Sequence, residues 1–402
     1  MMEDSAKKKV EDLAIFGGKP SFAEPLHVGR PNIGDRASLM RRIEDLLDRK
    51  WLTNNGKFVS EFERRVADFL GVKHCIAMCN GTVALEIAIR AVGMKGEVLV
   101  PSFTFVATVH ALQWQEITPV FCDIDPATCT IDPARLDRMV TPRTTGIIGV
   151  HMWGRACDIA ALEGFARRRN LHLVFDAAHA FGCTYGQRLI GNFGDAEVFS
   201  FHATKFFNTF EGGAVVTNDD GLAAKIRLMK NFGFSGYDNV IYIGTNGKMS
   251  EVAAAMGLTN LESLDTFVEA NRTNYKAFAE GLLGLKGIRL LAYPEREKSN
   301  YQYVIADVDE VAAGISRDRL VALLQAENVL ARRYFHPGCH RMEPYRSYFP
   351  HAGLLLSETE RISARVISMP TGTSVGTREI DTICSILRLA VEHGPAISRR
   401  IP

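Results

Sequence analysis

The chain has no CxxC pair, no glycine-rich nucleotide fingerprint, no long apolar run and almost no net charge. Each absence removes a class of protein. The eight cysteines (75, 79, 122, 129, 157, 183, 339 and 384) are scattered and have no neighbouring histidine motif. They fit reduced thiols of a cytoplasmic protein, not zinc ligands or a disulfide framework, and no metal is expected. A formal net charge of +1 gives no electrostatic ground for binding nucleic acid or a membrane surface. Asn80, Glu86 and Arg90 interrupt the nearest approach to a membrane-spanning run. Met1 to Val10 is charged and lacks the apolar segment of a secretory signal, and Lys7-Lys8-Lys9 reads as a solvated tail. Gly56-Lys57 and Gly247-Lys248 lack the upstream glycines of a phosphate-binding P-loop, and GxGxxG is missing.

What is present is ordinary in bulk and informative in order. With 402 residues, 47% of them hydrophobic, the chain suits one large and one smaller domain. Residues 1–60 read as an N-terminal arm and helix, 61–270 as a large domain and 271–402 as a small C-terminal domain. From about residue 75 short apolar strands alternate with helical spacing. Strands are expected at 75–78, 97–100, 119–123, 145–150 and 171–175, with helices at 83–92, 105–115, 132–140 and 159–169. That rhythm predicts an α/β domain with a largely parallel sheet. The stretch 250–284 is long for one globular helix, so a bend is expected within it.

Several places in this framework carry chemistry. Lys205 lies alone between the apolar runs ending at Ser200 and starting at Gly213. An ammonium there is costly to bury, so its pKa falls and a usable amine results. Cys79-Asn80-Gly81-Thr82 joins a strand to a helix, where free backbone amides, Gly81 and the Thr82 hydroxyl suit a phosphate. A plain turn with Thr82 as the helix cap is the alternative. Asp176 ends a buried strand, where open α/β sheets bind ligands, and suits a ring nitrogen; it equally suits a helix cap for 177–180. His179 lies three residues on. Phe105 starts a helix and can stack on a flat ring, Ser200 can donate to a phosphate, and Asn246 can cap the long helix or contact a ligand. A phosphate cradle, an acid for a ring nitrogen, a stacking aromatic and an amine together describe a pyridoxal 5′-phosphate site.

These residues resemble the DegT/StrS family of sugar aminotransferases, fold type I pyridoxal phosphate enzymes with a large domain and a smaller C-terminal α/β domain. The similar stretches include Asn80-Gly-Thr-Val-Ala-Leu85, Pro101-Ser-Phe-Thr-Phe-Val-Ala-Thr108, Asp176-Ala-Ala-His-Ala180, Ser200-Phe-His-Ala-Thr-Lys205 and Gly244-Thr-Asn-Gly-Lys-Met249. The resemblance implies that Lys205 holds the cofactor aldehyde and moves the proton, that Asp176 pairs with the ring nitrogen, and that His179 lies near the ring. It implies Phe105 on the ring face, with Phe103 as the second choice, and Gly81, Thr82 and Ser200 on the phosphate. It also implies a homodimer in which Asn246 reaches the phosphate of the neighbouring subunit. The implied substrates are L-glutamate, leaving as 2-oxoglutarate, and a keto-sugar nucleotide; the similarity is greatest to the branch acting on dTDP-4-keto-6-deoxyglucose. Related dehydratases carry histidine at the position of Lys205. A cyclitol or 3-keto sugar substrate, or a cofactor-binding regulator without turnover, are the alternatives. Lys248 and Phe210 depart from the family's commoner arginine and glycine.

Overall fold

The structure, a computed structural model, describes residues 7–401. An arm carrying the two-residue strand β1 (Leu26–His27) leads into α1 (Arg36–Arg49) and α2 (Lys57–Leu70). The alternating region then runs β2 (His74–Met78), α3 (Gly81–Val92), β3 (Glu97–Pro101), α4 (Val106–Gln113), β4 (Thr118–Cys122) and β5 (Thr144–Val150). It continues with α5 (Ile159–Arg169), β6 (His172–Asp176), the small hairpin β7 (Thr184–Tyr185) and β8 (Arg188–Leu189), β9 (Ala196–Ser200) and β10 (Gly213–Thr217). After α6 (Asp220–Met229), α7 (Glu251–Glu262) and α8 (Leu264–Gly281) come β11 (Ile288–Leu290), β12 (Val304–Val308), β13 (Val329–Leu330) and β14 (Val366–Met369).

The large sheet has seven strands in the order β2-β10-β9-β6-β5-β3-β4. Pairing is parallel from β9 through β4, and only β10 runs against its neighbours. This is the mostly parallel α/β sheet expected. Strand residues alternate between two cores: Leu99 and Phe199 pack with α2, α5 and α7, while Val98, Val100 and Val198 pack with α3, α4 and α6. A second, antiparallel sheet, β11-β12-β14, has its own core built from residues 278–401 together with Val10, Leu13 and Leu26 of the arm. Among the described residues no helix is long and apolar enough to cross a membrane.

Several local expectations change. Residues 132–140 form two short 3-10 turns, Pro133–Arg135 and Asp137–Met139, not a helix. Asp132 caps Ala134, and of those residues only Leu136 is fully buried while Met139 and Val140 pack partly against the core, so little apolar surface is buried to hold an α-helix. The expected bend falls at Ser263, which ends α7 and starts α8. Asn80 caps α3, accepting from the Val83 amide at 2.8 Å, so Thr82 is left inside the first turn. No helix follows Asp176; its Oδ1 accepts from the Ala178 amide at 3.1 Å in a turn. Lys7 is tied down instead of solvated: its ammonium lies 3.3 Å from the buried Glu327 carboxylate, which also accepts from the Ala14 and Ser21 amides.

Buried polar groups fix the parts around the sheet. Glu251, wholly buried, accepts from the Phe58 and Val59 amides at 2.8 and 2.9 Å and so satisfies the start of α2. Asn32 on the arm donates to the Phe206 carbonyl at 2.9 Å and accepts from the Thr373 hydroxyl at 2.8 Å. One asparagine thus joins the arm, the segment after Lys205 and the C-terminal region.

Candidate active site

The parallel strands deliver their carboxyl ends to one edge of the sheet, where ligands of open α/β folds bind. Val150 ends β5, Asp176 ends β6 and Ser200 ends β9, while β10, running the other way, begins there at Gly213. Together with the turn after β2 and the start of α4 they surround a cavity of about 600 Å3, closed on its far side by Tyr303, Tyr334 and Phe335 of the C-terminal region. A surface groove between α2 and the α7–α8 junction is of similar volume, about 710 Å3. Both its arginines are paired within it, Arg65 with Glu262 at 2.9 Å and Arg64 with Asp68 at 2.9 Å, and it offers no comparable chemistry.

The cavity brings together seven of the residues singled out from sequence: Gly81, Thr82, Phe105, Asp176, His179, Ser200 and Lys205. At one end is the start of α3. Asn80 takes the Val83 amide, so the amides of Gly81 and Thr82 have no partner within the helix and are available to an anion. A Cβ on Gly81 would come to 2.9 Å from the Ser200 Cβ, so only glycine lets this helix start against β9. Phe105 caps α4 with an extended backbone and is 56% exposed, so its ring can cover a flat partner in the cavity. Phe103 is fully buried and meets Trp153 edge to face at 5.5 Å, so it is a core residue.

Lys205 lies between this end and the C-terminal wall. Desolvation lowers its ammonium to about 8, although the nearby Asp176 charge acts in the opposite sense. What surface it retains opens into the cavity, and its Nζ lies 3.5 Å from the Tyr303 hydroxyl. Burial pushes Tyr303 well above the ordinary tyrosine range, so the phenol keeps its proton. His179 is buried, and desolvation first and Lys205 second hold it well below the ordinary histidine range. Its Nδ1 accepts from the Trp153 amide at 3.3 Å. The ring is therefore neutral with its proton on Nε2.

The remaining sequence candidates lie elsewhere. Asn246 is exposed, its Oδ1 accepts from Lys248 Nζ at 2.7 Å, and it does not line the cavity of its own chain. The Lys248 ammonium also lies 4.8 Å from the centre of the Phe232 ring. Phe210 has a φ of 63°, in the left-handed region, which explains why glycine is the easier residue there. Arg333 pairs with Asp318 at 3.0 Å, whereas Arg332 lies 5.4 Å over the ring of the cavity residue Tyr334. Tyr303, Tyr334, Phe335 and Thr108 escaped the sequence reading. The first three come from a distant part of the chain, and nothing in their own spacing marks them.

Comparison with known proteins agrees with this geometry. The model of the DegT/DnrJ/EryC1/StrS aminotransferase family matches residues 34–388. The dTDP-4-amino-4,6-dideoxy-D-glucose transaminase of Shigella dysenteriae is 37% identical over 367 residues, covering 91% of this chain and 99% of that protein. The GDP-perosamine synthase of Caulobacter vibrioides is 35% identical over 351 residues, covering 86% and 93% respectively. Among solved structures, DesI in the presence of its TDP-sugar product superposes with a TM-score of 0.94 at 50% identity, covering 97% of this chain and 99% of that one. A family model that spans nearly the whole chain, with relatives this similar along their full length, makes the protein a member of the DegT/DnrJ/EryC1/StrS aminotransferase family.

Proposed function

We propose that this aminotransferase moves an amino group from L-glutamate to a keto-sugar nucleotide, with dTDP-4-keto-6-deoxyglucose as acceptor and dTDP-4-amino-4,6-dideoxyglucose as product. One observation carries the reading: a desolvated amine, Lys205, shares a cavity with the Asp176 carboxylate and the open start of α3. The residues fit pyridoxal phosphate, the cofactor of the family. The Gly81 and Thr82 amides with the Ser200 hydroxyl would hold the phosphate, Phe105 would cover the ring and Asp176 would pair with its nitrogen. When bound, the cofactor supplies an aldehyde that takes up amines and a ring that accepts the electrons released at the donor α-carbon.

The chain's own groups do the rest. Lys205 Nζ takes the proton from the donor α-carbon and returns one in the second half of the cycle, as general base and then acid. The Tyr303 hydroxyl offers that amine a hydrogen-bonding partner in its free-base form. Neutral His179 presents Nε2–H to an oxygen acceptor on the ligand and cannot compete with Lys205 for a proton. Arg332, close to Tyr334 and without a carboxylate partner among the described residues, is placed to meet a carboxylate or phosphate of a substrate.

The acceptor rests on the relatives, of which the Shigella dysenteriae transaminase and DesI point to dTDP-linked sugars and the Caulobacter vibrioides enzyme to a GDP-linked one. A screen of 4-keto-6-deoxy sugars linked to dTDP, UDP and GDP, with glutamate as donor, reads 2-oxoglutarate release. Release with the dTDP sugar at a kcat/KM at least about ten-fold above the others is expected. Preference for the GDP sugar overturns the acceptor, and no release with any keto sugar overturns the reaction.

The site is also proposed to be completed by a second copy. The loop before Asn246 exposes Phe232, Tyr237, Val240, Ile241 and Ile243, an apolar surface that favours cover. The same cover would carry Asn246 toward a neighbouring site. Sedimentation of the active enzyme should give a dimer, and a fully active monomer would overturn it.

A further inference from the structure

We propose that Thr104 and Thr108 form a directional pair of hydroxyls that orients Asp176 and sets how firmly it holds a protonated ring nitrogen. Thr108 acts here as a positioning residue, and the inference rests on Asp176 having the role proposed above.

The arrangement follows from how α4 begins. Phe105 caps the helix, so Thr108 falls in its first turn with the side chain turned toward the end of β6. Thr104 lies just outside the helix, and its hydroxyl oxygen is 2.9 Å from that of Thr108. Both residues are buried, at 1% and 0% exposure, so neither hydroxyl can turn to bulk water. The Thr108 oxygen lies 2.7 Å from Asp176 Oδ2. An ionised carboxylate can only accept, so the Thr108 proton points at Asp176. Thr108 then has only lone pairs left for Thr104, and Thr104 must donate. The direction is fixed: Thr104 to Thr108 to Asp176.

The other carboxylate oxygen is fixed as well, since Oδ1 accepts from the Ala178 amide at 3.1 Å. Donors from two separate segments hold Asp176, one from the start of α4 and one from the turn after β6. Its remaining lone pairs face the cavity. A donor to a carboxylate stabilises the charged form. Removing Thr108 Oγ1 takes away one of the two donors that hold the carboxylate, so a proton shared with a ring nitrogen moves toward the carboxyl. The ring then loses its positive charge and becomes a weaker electron acceptor. Thr104 also loses its hydrogen bond to Thr108, the one side-chain partner its hydroxyl has among the described residues.

The test uses the full-length holoenzyme with Thr108→Val, Thr108→Ser and Asp176→Asn. Thr108→Val keeps the branched shape and removes the hydroxyl; serine restores the hydroxyl. Thr108→Val should lower kcat of the glutamate half-reaction about 10- to 100-fold, the worth of a hydrogen bond to a charged group, with little change in KM. It should also shift the pH midpoint at which the absorbance of the bound cofactor titrates. Thr108→Ser should return both readouts close to wild type. Wild-type kcat and midpoint in Thr108→Val would overturn the proposal. So would a loss of rate that follows a fall in Tm, leaves the midpoint in place and is not restored by serine. If Asp176→Asn is impaired while Thr108→Val is not, the hydroxyl pair alone is refuted. If Asp176→Asn is also unimpaired, the role given to Asp176 falls with it.

Discussion

Replacing Lys205 by alanine is expected to lower kcat about 10,000-fold, the upper range for removing a general acid–base group. In the proposed chemistry two functions go with this one amine: it would anchor the cofactor aldehyde, and it would move the proton at the donor α-carbon. Lys205→Arg should be as inactive, because guanidinium stays charged and supplies no free base. The visible absorbance of cofactor linked to the protein should be lost in both variants. The amine should also titrate unusually low. Burial brings Lys205 to about 8 from an ordinary 10.5. In apoprotein its reaction with an aldehyde should therefore rise with pH through a midpoint near 8. The sign for stability follows from the same shift. Above about 8 the folded apoprotein sheds this proton while the unfolded chain keeps it up to 10.5, so at this group stability rises with pH across that window. Residual turnover above about 1% of wild type in Lys205→Ala would remove the lysine from the proposed chemistry.

The sequence carried much of this site because its main parts lie on local features. The strand, turn and helix at 75–92 suit an anion only when set beside the other site residues, since the same spacing fits a plain turn, whereas an isolated lysine between apolar strands announces a desolvated amine. The alternating rhythm likewise announces the parallel sheet, since buried strands and amphipathic helices have different periods. What escaped depends on contacts distant in the chain. Ser102 joins its hydroxyl to His340 Nδ1 at 2.7 Å, and His340 Nε2 meets Glu360 at 2.8 Å. Asp123 holds the amides of Glu358 and Thr359 at 3.1 and 2.8 Å. These contacts bring the C-terminal segment, with Phe335 and Tyr334, against the cavity, and no local pattern announces them. Thr108 escaped for another reason: threonine in a first helical turn reads as ordinary, and only the fold sets it beside Asp176.

Asp176→Asn is expected to lower kcat about 100- to 1,000-fold, comparable to losing one preorganised electrostatic contact at a developing charge. The substitution keeps the size of the side chain and removes its charge, at the cost of exchanging one acceptor oxygen for a donor NH2. An amide cannot hold a ring nitrogen in its protonated form as a carboxylate does, and the electrons released at the donor carbon are then less stabilised. KM for glutamate should change little, because the contact strengthens in the transition state and adds little to ground-state binding. A second, independent sign comes from Lys205. The Asp176 charge raises its pKa against the effect of burial. Removing that charge should move the apoprotein amine midpoint below its wild-type position. The hydrogen bonding also has to reorganise: if the amide NH2 takes the place of Oδ2, it meets a Thr108 hydroxyl that already points toward it. Either Thr108 turns and displaces the donation from Thr104, or the amide turns and gives up the Ala178 contact. Wild-type kcat in Asp176→Asn, with an unmoved Lys205 midpoint, would show that this carboxylate neither charges the ring nor senses the amine.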